Sequence, residues 1–179
     1  MSKEILTVYL AGRIDGISAD RATNWRDEAL KLLAKNKFAG LCPITHGVDL
    51  ELNSGVPADL TKPEIHNKIF EIDLDLIFRS DAVIANMEYI SFGTAQEIFY
   101  ADKILNIPVI AFNNKSCTSA FLYATTYKIV DTLEDAIEVL KTLNKKSEML
   151  TIGGLREVLW STRETYDIPL EKLKKRNSF

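Results

Sequence analysis

Residues 82–112, AVIANMEYISFGTAQEIFYADKILNIPVIAF, decide the fold. Ala82–Asn86 is an unbroken apolar run closed by a polar residue, and Val109–Phe112 is a second one, placed just after Pro108, which a helix cannot run through. Between them, from about Gly93 to Leu105, apolar residues recur at helical spacing. Strand, helix and strand within about thirty residues make a βαβ unit, the connection that two parallel strands require. Strands that read as continuous apolar runs are those covered on both faces.

The same alternation extends both ways. Ile5–Leu10 is a β-rich apolar run ended by Ala11-Gly12, and Ala19–Lys35 follows with helical spacing through Ala22, Trp25, Ala29, Leu32 and Leu33. Trp25 falls on the apolar face and is expected in the core. Phe38–Cys42 predicts a second strand. The stretch Pro43–Pro63, rich in Gly, Pro, Asn and Asp, is too long for a simple connection, and loops of that length are often functional. A helix over Glu64–Ser80 leads into Ala82–Asn86, while Tyr127–Val130 and a helix over Leu133–Leu143 close the series. About five βα units predict an α/β fold, a flavodoxin-like parallel five-stranded sheet with helices on both faces. Ligands of such sheets bind beyond the carboxyl ends of the strands, so the loops after Leu10, Asn86 and Phe112 are expected to line one site. Residues 1–144 are expected to form this catalytic domain. Residues 145–179, with Gly153-Gly154, a helix over Leu155–Tyr166 and a basic Lys172–Arg176, are expected to form a helical extension packed on it or at a subunit interface.

The 179 residues suit one domain with a real core, and a formal net charge of −3 lacks the basic footprint that a phosphate polymer needs. No nucleic-acid partner is expected. Cys42 and Cys117 stand far apart, with only His46 and His66 to join them, which gives no metal-ligand spacing and suits a reduced, cytoplasmic setting. The opening MSKEILTVYLAG lacks a signal-peptide core, and no apolar run approaches the ~20 residues of a membrane span, so no membrane partner is expected.

Two carboxylates stand out. On a wheel of Glu64–Ser80, Ile65, Ile69, Phe70, Ile72, Leu76 and Ile77 share one side and Asp73 falls among them, whereas Glu64, Lys68, Glu71, Asp75 and Arg79 face away. A carboxylate amid apolar neighbours needs a partner, a proton or a function, though it can also anchor a neighbouring loop. Glu97 follows the Gly93-Thr94 turn that opens a helix after Asn86, where free N–H groups favour anions. The helix start is expected to keep Glu97 ionised, as suits a nucleophile. The alternative is a glutamate that stabilises only its own helix.

Taken together, Tyr9-Leu-Ala-Gly-Arg-Ile-Asp-Gly16, Asp73-Leu74 with Asp81 eight residues on, Gly93-Thr-Ala-Gln-Glu97 and Ser119-Ala120-Phe121 resemble the nucleoside 2-deoxyribosyltransferase superfamily over about residues 5–143. The resemblance implies a flavodoxin-like fold, no cofactor or metal, a small-molecule nucleoside or nucleotide as substrate, and a homodimer or higher homo-oligomer whose neighbouring subunit completes each active site. It makes Glu97 the nucleophile of a glycosyl-enzyme intermediate, Asp73 the acid near the base, and Tyr9 the residue that positions the nucleophile. Six residues before Glu97, Ser91 resembles the serine of the 2′-deoxynucleoside 5′-monophosphate N-glycosidases, where transferases acting on free nucleosides tend to carry Asp. A serine donates to a phosphate that a carboxylate would repel. Ser119 resembles their phosphate-binding serine from the adjacent subunit, and His46 a histidine on their second βα loop. Asp15 departs from the pattern, standing where those hydrolases carry a basic residue, and Arg13 is the candidate to replace that cation. Gly12, Ile14, Met87, Phe92 and Gly93 complete the expected substrate-binding set, and Tyr89 is left without a role.

The implied reaction is cleavage of the N-glycosidic bond of a (2′-deoxy)nucleoside 5′-monophosphate with release of free base. Two alternatives stand beside it: a nucleoside 2-deoxyribosyltransferase exchanging bases between unphosphorylated deoxynucleosides, and a non-catalytic nucleotide-sensing module. A receiver-like module would need an acidic cluster where Leu10-Ala11-Gly12 stands, and a phosphoribohydrolase with a Gly-Thr-x-x-Glu turn would need a double-Gly stretch that is absent before Gly93.

Overall fold

Parallel strands buried on both faces must be apolar at consecutive positions, and two strands here meet that condition throughout. The computed structural model describes residues 7–46, 63–113 and 119–149. In chain order these form β1 (Thr7–Gly12), α1 (Ala19–Lys35), β2 (Ala39–Leu41), α2 (Pro43–His46), α3 (Pro63–Phe78), β3 (Ala82–Asn86), α4 (Phe92–Phe99), β4 (Val109–Phe112), α5 (Ala120–Thr125), β5 (Lys128–Val130) and α6 (Leu133–Met149). All strand pairs are parallel, in the order β2-β1-β3-β4-β5. β3 and β4 are buried along their whole length and β1 from Val8 to Gly12, whereas the edge strands β2 and β5 are partly exposed. This is the flavodoxin-like order expected from the alternation of elements.

Strand alternation divides the core in two. Val8, Leu10, Ile84 and Ile110 face α1 and α6, packing on Ala29, Leu33, Ala136, Ile137 and Leu140. Tyr9, Val83, Ala85 and Val109 face α3, α4 and α5, packing on Leu76, Ile77, Ile98, Ala101 and Leu122. The pairing register sets Gly12 beside Asn86 and Asn86 beside Phe112, so three strand ends share one edge. Because the chain leaves β1 into α1 on one face and leaves β3 into α4 on the other, it parts between β1 and β3 at that edge, the place where such sheets bind ligands.

Several expected boundaries move. β1 runs through Ala11-Gly12 instead of ending there, because Gly12 is a packing glycine: a Cβ on it would lie 2.8 Å from Trp25 Cζ2. Trp25 is held edge-on to Phe112, with centroids 5.7 Å apart, and has little freedom to withdraw. Gly12→Ala is therefore expected to destabilise the protein by about 1–3 kcal/mol, read as a lower denaturant midpoint at unchanged slope. The expected helix over Gly93–Leu105 begins at Phe92 and ends in a π-helical turn, Tyr100–Ile104, where Leu105 N–H donates to the Tyr100 carbonyl at 3.0 Å. Asn106 then takes a left-handed conformation (φ 58°) before Ile107 and Pro108 lead into β4. The short helices α2 and α5 were not foreseen. Phe70, placed on the apolar arc of α3, is exposed, because the buried stripe is the narrower one through Ile72, Leu76 and Ile77. Asp81 holds the opposite end of the sheet, its Oδ2 accepting from Thr7 N–H at 2.7 Å. The helix expected to end at Leu143 runs on to Met149, through the expected boundary after residue 144; the rest of the expected extension 145–179, from residue 150, and the expected functional loop beyond residue 46 lie outside the described residues. No helix among the described residues is long and apolar enough to cross a membrane.

Candidate active site

Tyr9 stands on the face of β1 that α3 and α4 cover, and Thr94, Glu97, Ile98 and Ala101 form the stripe of α4 turned toward it. Residues three and four apart share a helix face, so the sequence that buries Ile98 and Ala101 also carries Glu97 inward. The fully buried Tyr9 hydroxyl donates to Glu97 Oε1 at 2.8 Å. Glu97 as a whole is half-buried, but its Oε2 is cut off from solvent and has no hydrogen-bond partner. Asp73, half-buried on α3 beside the buried Leu76 and Ile77, is the second carboxyl of the group. The structure thus brings Tyr9, Asp73 and Glu97 together, from β1, α3 and α4, close enough that their charges act on one another.

Burial sets the protonation of all three. It pushes the Glu97 carboxyl up to about 7; the Tyr9 hydrogen bond opposes the rise, the Asp73 charge adds to it, and the Arg26 cation opposes it. Asp73 is pushed up to about 6, again by burial, with Arg26 opposing and the Asp15 charge adding. Burial, then the charges of Glu97 and Asp73, hold the Tyr9 hydroxyl well above the usual phenol range, so it stays a donor. The expectation that the helix start keeps Glu97 ionised is corrected here. Ser91 is the N-cap and Glu97 lies in the second turn, beyond the reach of the terminal field, so desolvation dominates.

The remaining candidates are spread along the carboxyl edge. Ser91 Oγ accepts from Thr94 N–H at 3.0 Å and pairs with Thr94 Oγ1 at 2.7 Å, which makes it the cap of α4. Phe92 is 81% exposed, and a Cβ on Gly93 would meet nothing within 4 Å, so the start of α4 is open. Met87, expected at the ligand, is buried in the core against the α3 and α4 face. In the loop after β1, Arg13 Nε donates to the Asp15 carbonyl at 2.7 Å and its terminal nitrogen lies over Gly16, which needs its positive φ of 71°. Ile14 is exposed. His46 Nδ1 accepts from Cys42 N–H at 3.2 Å, which folds the ring back on its own helix after β2. Ser119 is exposed at the start of α5, beyond β4, with no side-chain cap bond.

Two arginines escaped the sequence reading. Arg26 is 1% exposed, and its Nη1 and Nη2 donate to the carbonyls of Ala22 and Gly12, each at 2.6 Å. The signal was present: Arg26 completes the buried stripe Ala22, Ala29, Leu33 of α1. Arg21 donates to the Tyr89 hydroxyl at 2.9 Å and lies over its ring, tying the first turn of α1 to the loop before Ser91.

The family model described as nucleoside 2-deoxyribosyltransferase matches residues 8–145. Among solved structures, the chain is similar to a 2-deoxyribosyltransferase from Bacillus psychrosaccharolyticus, at 19% identity and a TM-score of 0.54 over 73% of this chain and 89% of that one. It is also similar to a conserved protein from Enterococcus faecalis V583, at 17% identity and a TM-score of 0.54 over 78% and 99%. A CMP N-glycosidase from Clostridium botulinum aligns at 14% identity and a TM-score of 0.46 over 76% and 98%. At these identities the likeness is one of fold. No curated protein matches by sequence.

Proposed function

The chain belongs to the nucleoside 2-deoxyribosyltransferase family, enzymes that act on nucleosides or nucleotides as small molecules, and on that footing we propose that it cleaves the N-glycosidic bond of a (2′-deoxy)nucleoside 5′-monophosphate through a covalent glycosyl-Glu97 intermediate, releasing free base. One observation carries this reading: a carboxylate with one oxygen held by Tyr9 and the other cut off from solvent and free of any hydrogen bond, in the electrostatic reach of a second, half-buried carboxyl. Glu97 Oε2 attacks C1′ as the C1′–N bond breaks, and the developing positive charge on the sugar favours the ionised carboxylate. The Asp73 proton goes to the leaving base. Water then attacks C1′ of the ester, Asp73 takes its proton, and Glu97 is released. This sequence needs one proton shared by the pair, and values of about 6 for Asp73 and about 7 for Glu97 provide one near neutral pH. In the substrate-free protein that proton rests mainly on Glu97 even with Tyr9 donating to it, so the reaction runs through the tautomer with the proton on Asp73, which the positive charge developing on the sugar favours.

The phosphate is assigned from Ser91 and the open start of α4, where backbone N–H groups favour an anion. Asp15 supports a second reading, base exchange between unphosphorylated deoxynucleosides, because its charge reaches Asp73 and would oppose a phosphate at that edge. A deoxynucleoside incubated with a second base, and deoxynucleoside monophosphates incubated alone, separate the two readings by product. Sugar phosphate without exchange supports hydrolysis; exchange without it supports transfer. Ser91→Ala is expected to cost about 1 kcal/mol of stability as a lost cap, and to weaken monophosphate binding more than nucleoside binding; equal losses would remove the phosphate argument. Shared sites in a homo-oligomer are proposed from Ser119, which stands beside the exposed Phe121 and Tyr123 of α5. Sizing tests this, since a fully active monomer contradicts it.

A further inference from the structure

A fully buried cation normally sits against a carboxylate. Arg26 does not: among the described residues no carboxylate is in ion-pair contact with it, its two terminal nitrogens are taken by main-chain carbonyls, and its Nε has no partner. The guanidinium is stacked on Trp25, 4.5 Å from the ring centroid, and Trp25 is itself wedged against Phe112. Its position is therefore fixed from three sides. One of the two carbonyls belongs to Gly12, the last residue of β1, on the strand that carries Tyr9. Across that strand end lie a carboxyl whose Oε2 is equally buried and unpartnered, Glu97, and the half-buried Asp73. A buried cation without an ion-pair partner and a buried carboxylate oxygen without a hydrogen bond, on either side of one strand end, balance each other only as a group.

We propose that Arg26 is a positioning residue of this site: it fixes the end of β1 through the Gly12 carbonyl and supplies the cation against which the Glu97 and Asp73 carboxyls are held. The inference rests on the glycosidic reading only for its kinetic consequence. Groups on every surrounding element share this field, namely Tyr9 on β1, Asp15 in the loop after it, Cys42 after β2, Asp73 on α3 and Glu97 on α4. Arg26 opposes the upward push of burial on Tyr9, Asp73 and Glu97 alike.

The test is a titration of the substrate-free protein labelled with carboxyl ¹³C in glutamate, with the Glu97 signal assigned by its loss in Glu97→Gln. In Arg26→Gln the Glu97 midpoint is expected to rise by about one unit, and in Arg26→Lys, which keeps the charge, to stay within a few tenths of the wild type. A folded Arg26→Gln with an unmoved midpoint would overturn the proposal. So would Arg26→Lys shifting by a full unit, and that variant alone decides the matter where Arg26→Gln does not fold. The acid limb of kcat/KM for base release should follow the same order. A protein that releases no base but shows the expected titrations refutes the glycosidic reading and leaves the role of Arg26 standing.

Discussion

Glu97→Gln is expected to lower base release by at least about 10³-fold while leaving the fold intact, because the amide still accepts from Tyr9 but has no charge with which to attack C1′. The same substitution should change stability in a direction that a merely structural glutamate would not. Burial raises Glu97 from an ordinary 4.5 to about 7 and Asp73 from 3.8 to about 6 in the folded protein. A group whose folded value lies above its unfolded one contributes fully below the unfolded value, and that contribution is lost as pH rises through the folded value. The wild type should therefore lose stability between about pH 4 and pH 7. Glu97→Gln removes its share of that loss, on the order of 3 kcal/mol, and should melt higher than the wild type at pH 8. Melting curves of both proteins at pH 5 and pH 8 check this; a Glu97→Gln protein that gains nothing on the wild type between pH 5 and pH 8 would contradict the burial of Glu97 with its Oε2 unpartnered.

The second large effect is expected at Asp73. Asp73 is the proposed proton source for the departing base, and its replacement by Asn should cost about 10²- to 10⁴-fold in base release. The loss should depend on the leaving group. An activated aryl leaving group needs no proton, so Asp73→Asn should slow its release by less than about tenfold. An equal loss on both substrates would assign Asp73 to holding Glu97 or the fold instead of to acid catalysis. The acid-side and alkaline-side limbs of the wild-type rate should bracket one proton shared between the two carboxyls, and Asp73→Asn should lose the alkaline limb.

Much of the fold could be read before any coordinates, and the reasons are local. Ala82–Asn86 and Val109–Phe112 end where expected, because central parallel strands are apolar throughout and Pro108 marks the second boundary. β1 outran its expected end because Ala11-Gly12 looks like a turn in sequence, whereas Gly12 is required by the ring of Trp25, a contact that only the folded chain creates. α5 is six residues long without a side-chain cap bond, too short to give a periodic signal. At the site, Asp73 could be picked out from the wheel of α3, since an acidic residue among isoleucines and leucines is costly without a role. Glu97 was singled out by the resemblance of Gly93-Thr-Ala-Gln-Glu97, whereas the expectation that the helix start keeps it ionised does not hold: its environment is set by burial, and the helix start belongs to Ser91 and Thr94. Arg26 was passed over because a charged residue on an amphipathic helix is read as solvated, although its register with Ala22, Ala29 and Leu33 places it inside. That Arg26 meets the Gly12 carbonyl at the end of the strand carrying Tyr9 is a contact that only the folded chain creates.

A covalent bond between Glu97 and the sugar is the central step of the proposed reaction. A 2′-fluoro-substituted nucleotide slows both formation and breakdown of such an intermediate, because fluorine destabilises the oxocarbenium-like state on either side of it. Peptide mass spectrometry of the protein after incubation with that substrate is expected to find one fluorosugar on the peptide carrying Glu97, and none in Glu97→Gln. The sugar on any other residue, or continued base release with Glu97 unmodified, would contradict it.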